Sequence, residues 1–211
     1  MKTISSEQIS EMEKHYRINL INSLSGYKSL HLLGTISTDK ITNLCIVSSV
    51  FHLGANPPLI GLVIRPQRPH NDSLRNLKST SHYTLNNVLP EWYISAHQTS
   101  ASFPSGISEF NECGLHELYD QGFDAPFVEE SSVRIGLELQ ELIDMKINST
   151  TIVIGKVLRI IANDSIIEQD GRVNHELADT ITAIGLDSYY KTSALGRVSY
   201  ANPTGFTRNI E

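Results

Sequence analysis

Cysteine is almost missing from this chain. Cys45 and Cys113 are the two present, far apart and in no CxxC pair. That excludes a disulfide framework and a thiolate metal knuckle, and two free thiols suit a reducing compartment. Cys45, inside an apolar run, reads as a small core residue. No stretch is apolar for long enough to span a bilayer. The first residues, MKTISSEQISEMEKH, lack the apolar centre of a signal peptide, so a cytoplasmic location is expected. Without secretion, the glycosylation-like triplets at Asn71, Asn148 and Asn163 carry no meaning. Basic residues are outnumbered, 17 to 23, and the net charge is -6, which argues against a broad nucleic-acid face. There is no GxGxxG, no GxxxxGK[ST], no HExxH and no GxSxG, and the eight histidines show no metal spacing. Chemistry must come from a bound cofactor or from residues scattered over the fold.

With 211 residues, 40% apolar and 19% charged, the chain suits one globular domain over residues 1–211. Ser5 followed by Gln8 reads as a capping box that opens a short helix near residues 6–16. Ser29–Ser37 and Thr42–Val50 read as a hairpin. Pro57-Pro58 closes a loop and starts a buried strand, Leu59–Arg65. Asn71-Asp72-Ser73 caps a short helix through Lys78, and His82–Val88 returns as a strand. Residues 90–127 read as a helical excursion with loops, beginning at Pro90. Apolar residues then alternate over Val133–Ile147, with a break at Glu141 and Leu142 that suggests a bulge. Asn148-Ser149 turns the chain into Thr150–Ala162, apolar on both faces. Two long adjacent strands, one buried on both sides, fit a closed or half-closed barrel. The tail, Thr180–Pro203, is mixed.

The most informative stretch is residues 42–89. A strand ends in Ser48 and Ser49, a buried strand ends in Arg65, and a polar turn opens a helix at Asn71 to Ser73. That order suits a phosphate-bearing ligand. Hydroxyls stand at a strand end, free N–H groups at a helix N-terminus, and a guanidinium between them. Each residue also has a plainer role. Ser48 and Ser49 turn a strand, Asn71 caps a helix, and Arg65 pairs with a surface acid.

The same segment resembles the flavin reductase-like family, whose fold is an FMN-binding split barrel. The residues that carry the likeness are Asn43-Leu44, Ser48, Pro57-Pro58-Leu59-Ile60, Arg65, Ser73 and Tyr83–Asn86 with Leu89. Glu109-Phe110 with Gly114-Leu115, the pair Arg134–Leu139 and Thr151–Val157, and Gly185–Tyr190 extend it over residues 20–203. The chain departs from the family at His70-Asn71-Asp72, where relatives carry a basic residue. Asp72 beside a phosphate repels it unless it points away and caps the helix.

The resemblance implies a mainly β fold, a Greek-key split barrel with a few peripheral helices. It implies an FMN-binding flavoprotein, with FAD as the alternative flavin, and a homodimer that binds neither nucleic acid nor membrane. The expected activity is NAD(P)H-dependent flavin oxidoreduction with NADH or NADPH as co-substrate. The alternative is an FMN-binding electron carrier or sensor without that activity. Flavin supplies the chemistry, so no catalytic side chain is expected. Asn43, Ser48 and Ser49 are expected at the flavin ring edge and ribityl chain, and Arg65, Asn71 and Ser73 at the phosphate. His97 and Ser100 are expected where the excursion returns over the ring. Arg197 and Tyr200 are candidates to reach a neighbouring subunit's cofactor, and Trp92 reads as a core or interface anchor.

Overall fold

The structure is a computed structural model that describes residues 1–66 and 72–210. The chain opens with two helices, α1 (Ser6–Glu11) and α2 (Lys14–Ser23). One helix was expected here. Met12 is extended and Glu13 starts afresh, its carboxylate accepting from the Tyr16 N–H at 2.9 Å. The Ser5–Gln8 capping box forms as read.

Five strands follow: β1 (Lys28–Ser29), β2 (His31–Ile36), β3 (Thr42–Val47), β4 (Val50–Ala55) and β5 (Pro58–Ile64). Next come α3 (Asp72–Thr80), β6 (His82–Asn87), α4 (Tyr93–Gln98) and α5 (Glu109–Glu112). A small ladder, β7 (Glu117–Leu118) with β8 (Phe127–Val128), precedes the long hairpin of β9 (Val133–Met145) and β10 (Thr150–Ala162). The tail holds β11 (Thr182–Ile184), β12 (Ser188–Tyr190), β13 (Arg197–Val198) and β14 (Asn209–Ile210). β4 falls where a loop was expected. It is an edge strand with mostly exposed side chains, and its ladder with β5 sets its shape rather than its own pattern.

Seven strands pair antiparallel in the order β3-β2-β6-β9-β10-β5-β4. The two ends of that order, β3 and β4, are separated in sequence only by Ser48 and Ser49. The sheet therefore curls until its edges approach, and the Ser49 carbonyl, accepting from the Val63 N–H at 3.0 Å, carries the β4–β5 ladder into the corner. This gives the split barrel. Its interior is filled by Leu33, Leu62, Tyr83, Leu85, Leu137 and Val153, with Leu74 and Leu77 of α3 plugging one end. Alternate residues of the same strands, Leu32 and Leu44, join Val88, Ala96 of α4 and Phe110 of α5 in a second core outside the barrel wall. β2 is buried along its whole length because both faces are covered. The excursion over residues 90–127 thus buries the outer face of β2 and β3.

The irregularity expected near Glu141 is one residue away. Glu141 faces Ile154 and Leu139 faces Gly155, which leaves Gln140 as the extra residue of a bulge.

Candidate functional site

β3 has a partner on one side only. In the β2–β3 ladder Leu44 faces Gly34, and its N–H points away from β2 to the Glu109 carboxylate at 2.9 Å. Antiparallel geometry then turns the backbone groups of Ile46 the same way, off the sheet. Among the described residues nothing pairs with them, so β3 presents a free donor and acceptor beside the seam.

At the near end of this edge the Asn43 amide donates to Glu109 Oε2 at 2.8 Å, and its oxygen accepts from Ser73 Oγ at 3.0 Å. Ser73 Oγ is also 3.3 Å from Cys45 Sγ. Asn43 and Ser73 are both buried. Burial pushes the Glu109 pKa upward. The Leu44 N–H and the Asn43 amide pull it back, and Asp72 adds a further upward push. Asp72 turns towards its own helix, 2.8 Å from Arg75, with Ser105 Oγ donating at 3.4 Å. Asn71 lies outside the described residues.

The far end of the edge is the corner at Ser48 and Ser49, half-buried and exposed respectively. Both line a cleft of about 530 Å³ with Ile21, Asn22, Ser25, Tyr27, Lys28, Ser29, Val50, Phe51 and Val63. Among the described residues no carboxylate lines it. Arg65 is exposed, and its Nη2 donates to Asn22 Oδ1 at 3.1 Å. Burial lowers the Lys28 pKa, and the Arg65 charge lowers it further. Neither cation has an acidic partner among the described residues. Phe51 lies across Gly61, whose missing side chain makes room for the ring.

Asn43 and Ser73 therefore share one hydrogen-bonded cluster. Ser48 and Ser49 share the cleft with Lys28, and Arg65 joins it through Asn22. Along β3 the two groups are about 17 Å apart, five residues of extended chain. His97 and Ser100 stand elsewhere. His97 Nδ1 is 2.5 Å from the Tyr189 hydroxyl, and exposed Ser100 gives its N–H to the His97 carbonyl at 2.9 Å. Tyr189 lines a separate cleft of about 370 Å³ with Pro90, Tyr93, Ile181 and Lys191. Glu109, Lys28 and Asn22 were not singled out as site residues from sequence. Lys28 beside Ser29 at the mouth of a strand was the available signal.

The family model for the flavin reductase like domain matches residues 29–176. The chain belongs to the flavin reductase-like family. A split-barrel protein of Shewanella frigidimarina NCIMB 400, named as a flavin reductase, is 42% identical with a TM-score of 0.92, over 95% of this chain and all of that one. Nitrilotriacetate monooxygenase component B of Bacillus cereus has a TM-score of 0.82 at 19% identity, over 93% of this chain and 98% of its own. The 2-nitrobenzoate 2-nitroreductase of Pseudomonas fluorescens has a TM-score of 0.79 at 20% identity, over 97% and 98%. The last two likenesses speak to the fold. Family membership places this chain among flavin-handling oxidoreductases. Among the described residues no helix is long and apolar enough to cross a membrane.

The donor set fits a flavin. A flavin has an amide-like ring edge that pairs with a free strand, and a phosphate that calls for cations and hydroxyls without nearby carboxylate. The free edge of β3 at Ile46 and the corner beyond its end, with Lys28 of β1 and Arg65 after β5, offer these.

Proposed function

We propose that this chain is an NAD(P)H:flavin oxidoreductase that binds FMN along the free edge of β3, with FAD as the alternative flavin. The observation that carries this reading is the pair of cations, Lys28 and Arg65, that meet no carboxylate among the described residues, beside the serines that end that edge. When bound, the flavin would supply the redox chemistry as hydride acceptor from the nicotinamide. The chain binds, orients and shields.

Ser48 and Ser49 contribute hydroxyls and N–H groups to the ribityl and phosphate region. Arg65 and Lys28 serve the phosphate, with Asn71 proposed to join them, whereas Ser73, buried with its hydroxyl on Asn43, holds the other end of the edge. Asn43 is buried with both ends of its amide engaged, so it holds the edge in place through Glu109 and Ser73. His97, hydrogen-bonded to Tyr189, lies on α4, which covers the outer face of β3, and Ser100 lies just past its end. No side chain is assigned a covalent or acid–base role.

A visible spectrum of the purified protein with added FMN, followed by anaerobic NADH or NADPH, tests the reading. Flavin binding and bleaching by either nucleotide are expected. Binding without bleaching would instead favour the electron carrier. A protein that leaves the fluorescence of added FMN and FAD unchanged overturns both.

A further inference from the structure

Three of the chain's eight tyrosines, Tyr93, Tyr189 and Tyr190, meet in a cleft that the flavin reading does not use. Alternation along β12 sends Tyr189 and Tyr190 to opposite sides of the strand. Tyr189 turns towards α4. Its ring lies 5.4 Å from that of Tyr93 with the planes inclined at 54°, and its hydroxyl is engaged by His97. Tyr190 turns the other way and is braced edge-on by Tyr27 at 5.3 Å. β12 ends at Tyr190, and the cleft wraps that end. Pro90 and Ile181 complete its apolar lining, and its volume of about 370 Å³ suits a small molecule. Tyr93 and Tyr190 are exposed, so ring surface is open to a ligand.

The charges around this cleft have the opposite balance to those at the Ser48–Ser49 corner. Lys191 is the cation among the described lining residues, and its Nζ is already held by Asp179 at 2.7 Å. That bond raises the Lys191 pKa, and Glu91 adds a further push. Asp187 also lines the cleft. It accepts from Ser188 Oγ at 3.3 Å and meets no cation among the described residues. Burial raises the Tyr189 pKa and the Asp187 charge raises it further, so the field of that carboxylate reaches the rings. Three carboxylates, Asp179, Asp187 and Glu91, thus stand against one ammonium. An anion is drawn to the corner, and a cation to this cleft.

We propose that this cleft binds a small organic cation of the quaternary-ammonium class, with its methyl groups against the tyrosine rings and its charge balanced by Asp187. An aromatic face attracts a cation through its quadrupole, and a methylated ammonium is weakly hydrated, so it leaves water at little cost. A primary ammonium instead needs an acceptor for each of its three N–H groups. Rings with a single unpaired carboxylate answer the first need better than the second. The inference stands apart from the flavin reading, because it uses no flavin and no residue of the corner.

The test is calorimetric titration of the full chain with choline and with dimethylbutanol, which keeps the shape of choline and lacks its charge. Choline should bind with a dissociation constant of about a millimolar or tighter, and dimethylbutanol at least about tenfold more weakly. Asp187→Asn and Tyr190→Leu should each weaken choline binding about three- to tenfold. Both side chains are exposed and lie outside the cores, and circular dichroism verifies that the variants are folded. A choline isotherm that stays flat up to about 20 mM, where even a weak site fills, overturns the proposal. So does dimethylbutanol binding as tightly as choline, which would make the cleft a plain apolar slot. Two variants that both bind choline as the natural chain does would put the cation elsewhere and overturn it as well.

Discussion

Glu109 is a buried carboxylate that accepts two hydrogen bonds and has no cation beside it among the described residues. Burial is the largest influence on it and favours the protonated form. A carboxyl whose folded pKa is raised binds its proton more tightly in the native state. Its contribution is full at low pH and is lost as pH climbs from the usual carboxylate range through the raised value. Glu109→Gln removes a loss of stability that grows with pH, so it should make the change in melting temperature from pH 4 to 7 more positive while keeping an acceptor for the Leu44 N–H. A variant with the natural pH profile would show that Glu109 is not the group responsible. The corner cations act differently, because no carboxylate among the described residues neutralises them. Lys28→Ala and Arg65→Ala should each weaken flavin affinity about tenfold, the worth of one charge-assisted hydrogen bond, with melting temperature unchanged. Fluorescence titration reads this directly, and unaltered affinity in both variants would move the phosphate elsewhere. Gly155 is the most crowded of the barrel's glycines. A Cβ there would collide with the Tyr83 hydroxyl and ring, and that hydroxyl has no hydrogen-bond partner among the described residues. Gly155→Ala should cost about 1–3 kcal/mol in chemical unfolding. Coupling it to Tyr83→Phe should recover part of the loss.

Elements whose apolar pattern decides their shape were legible in the sequence. Those shaped by a neighbour were not. The β9–β10 hairpin, the β2–β3 hairpin, β5, α3 and β6 stand within a few residues of where alternation and capping put them. β4 and the break between α1 and α2 were missed. Both are mostly exposed, and their backbone groups are satisfied by a ladder or by one side chain. The site divides in the same way. Ser48, Ser49 and Arg65 were legible as ends of strands. Asn43 was legible as a motif residue, but its latch to Glu109 spans 66 positions and no local pattern signals it. Asn86 is similar. It donates to Leu32 and Thr84 and accepts from the Val128 N–H, strapping β8 to the barrel. The family-like residues thus hold the fold as much as they prepare the site. α1 shows how little a well-made local signal does for the whole. Its capping box is complete, yet neither α1 nor α2 has a fully buried side chain. Ser5→Ala should speed amide exchange in α1, because cap removal costs about 1 kcal/mol locally. The midpoint of global unfolding should not move, and a matching drop in it would mean that α1 belongs to the cooperative unit.

At the scale of the whole molecule the barrel is closed by one short seam, and a histidine sits next to it. His31 begins β2 and pairs with Val47, the last residue before the Ser48–Ser49 corner. Its ring is buried, and Nδ1 has no hydrogen-bond partner among the described residues. Burial, with a smaller push from His175, lowers its pKa to about 4. His175 is also lowered by burial. A histidine with a depressed folded pKa stays neutral inside, whereas the unfolded chain takes up its proton first as the solution acidifies. Its stabilisation is whole above the usual histidine value of 6.5 and is lost as pH falls towards 4, about 3 kcal/mol in all. Glu109 works in the opposite sense, but its shift is partly cancelled by the two groups that donate to it. The acid side should therefore be governed by His31. Melting temperature should fall from pH 6.5 to 4, and His31→Leu, which fills the same space with no titrating group, should remove most of that fall. If the two proteins instead lose stability in parallel, the proton enters elsewhere and the seam is not the acid-sensitive part of the barrel.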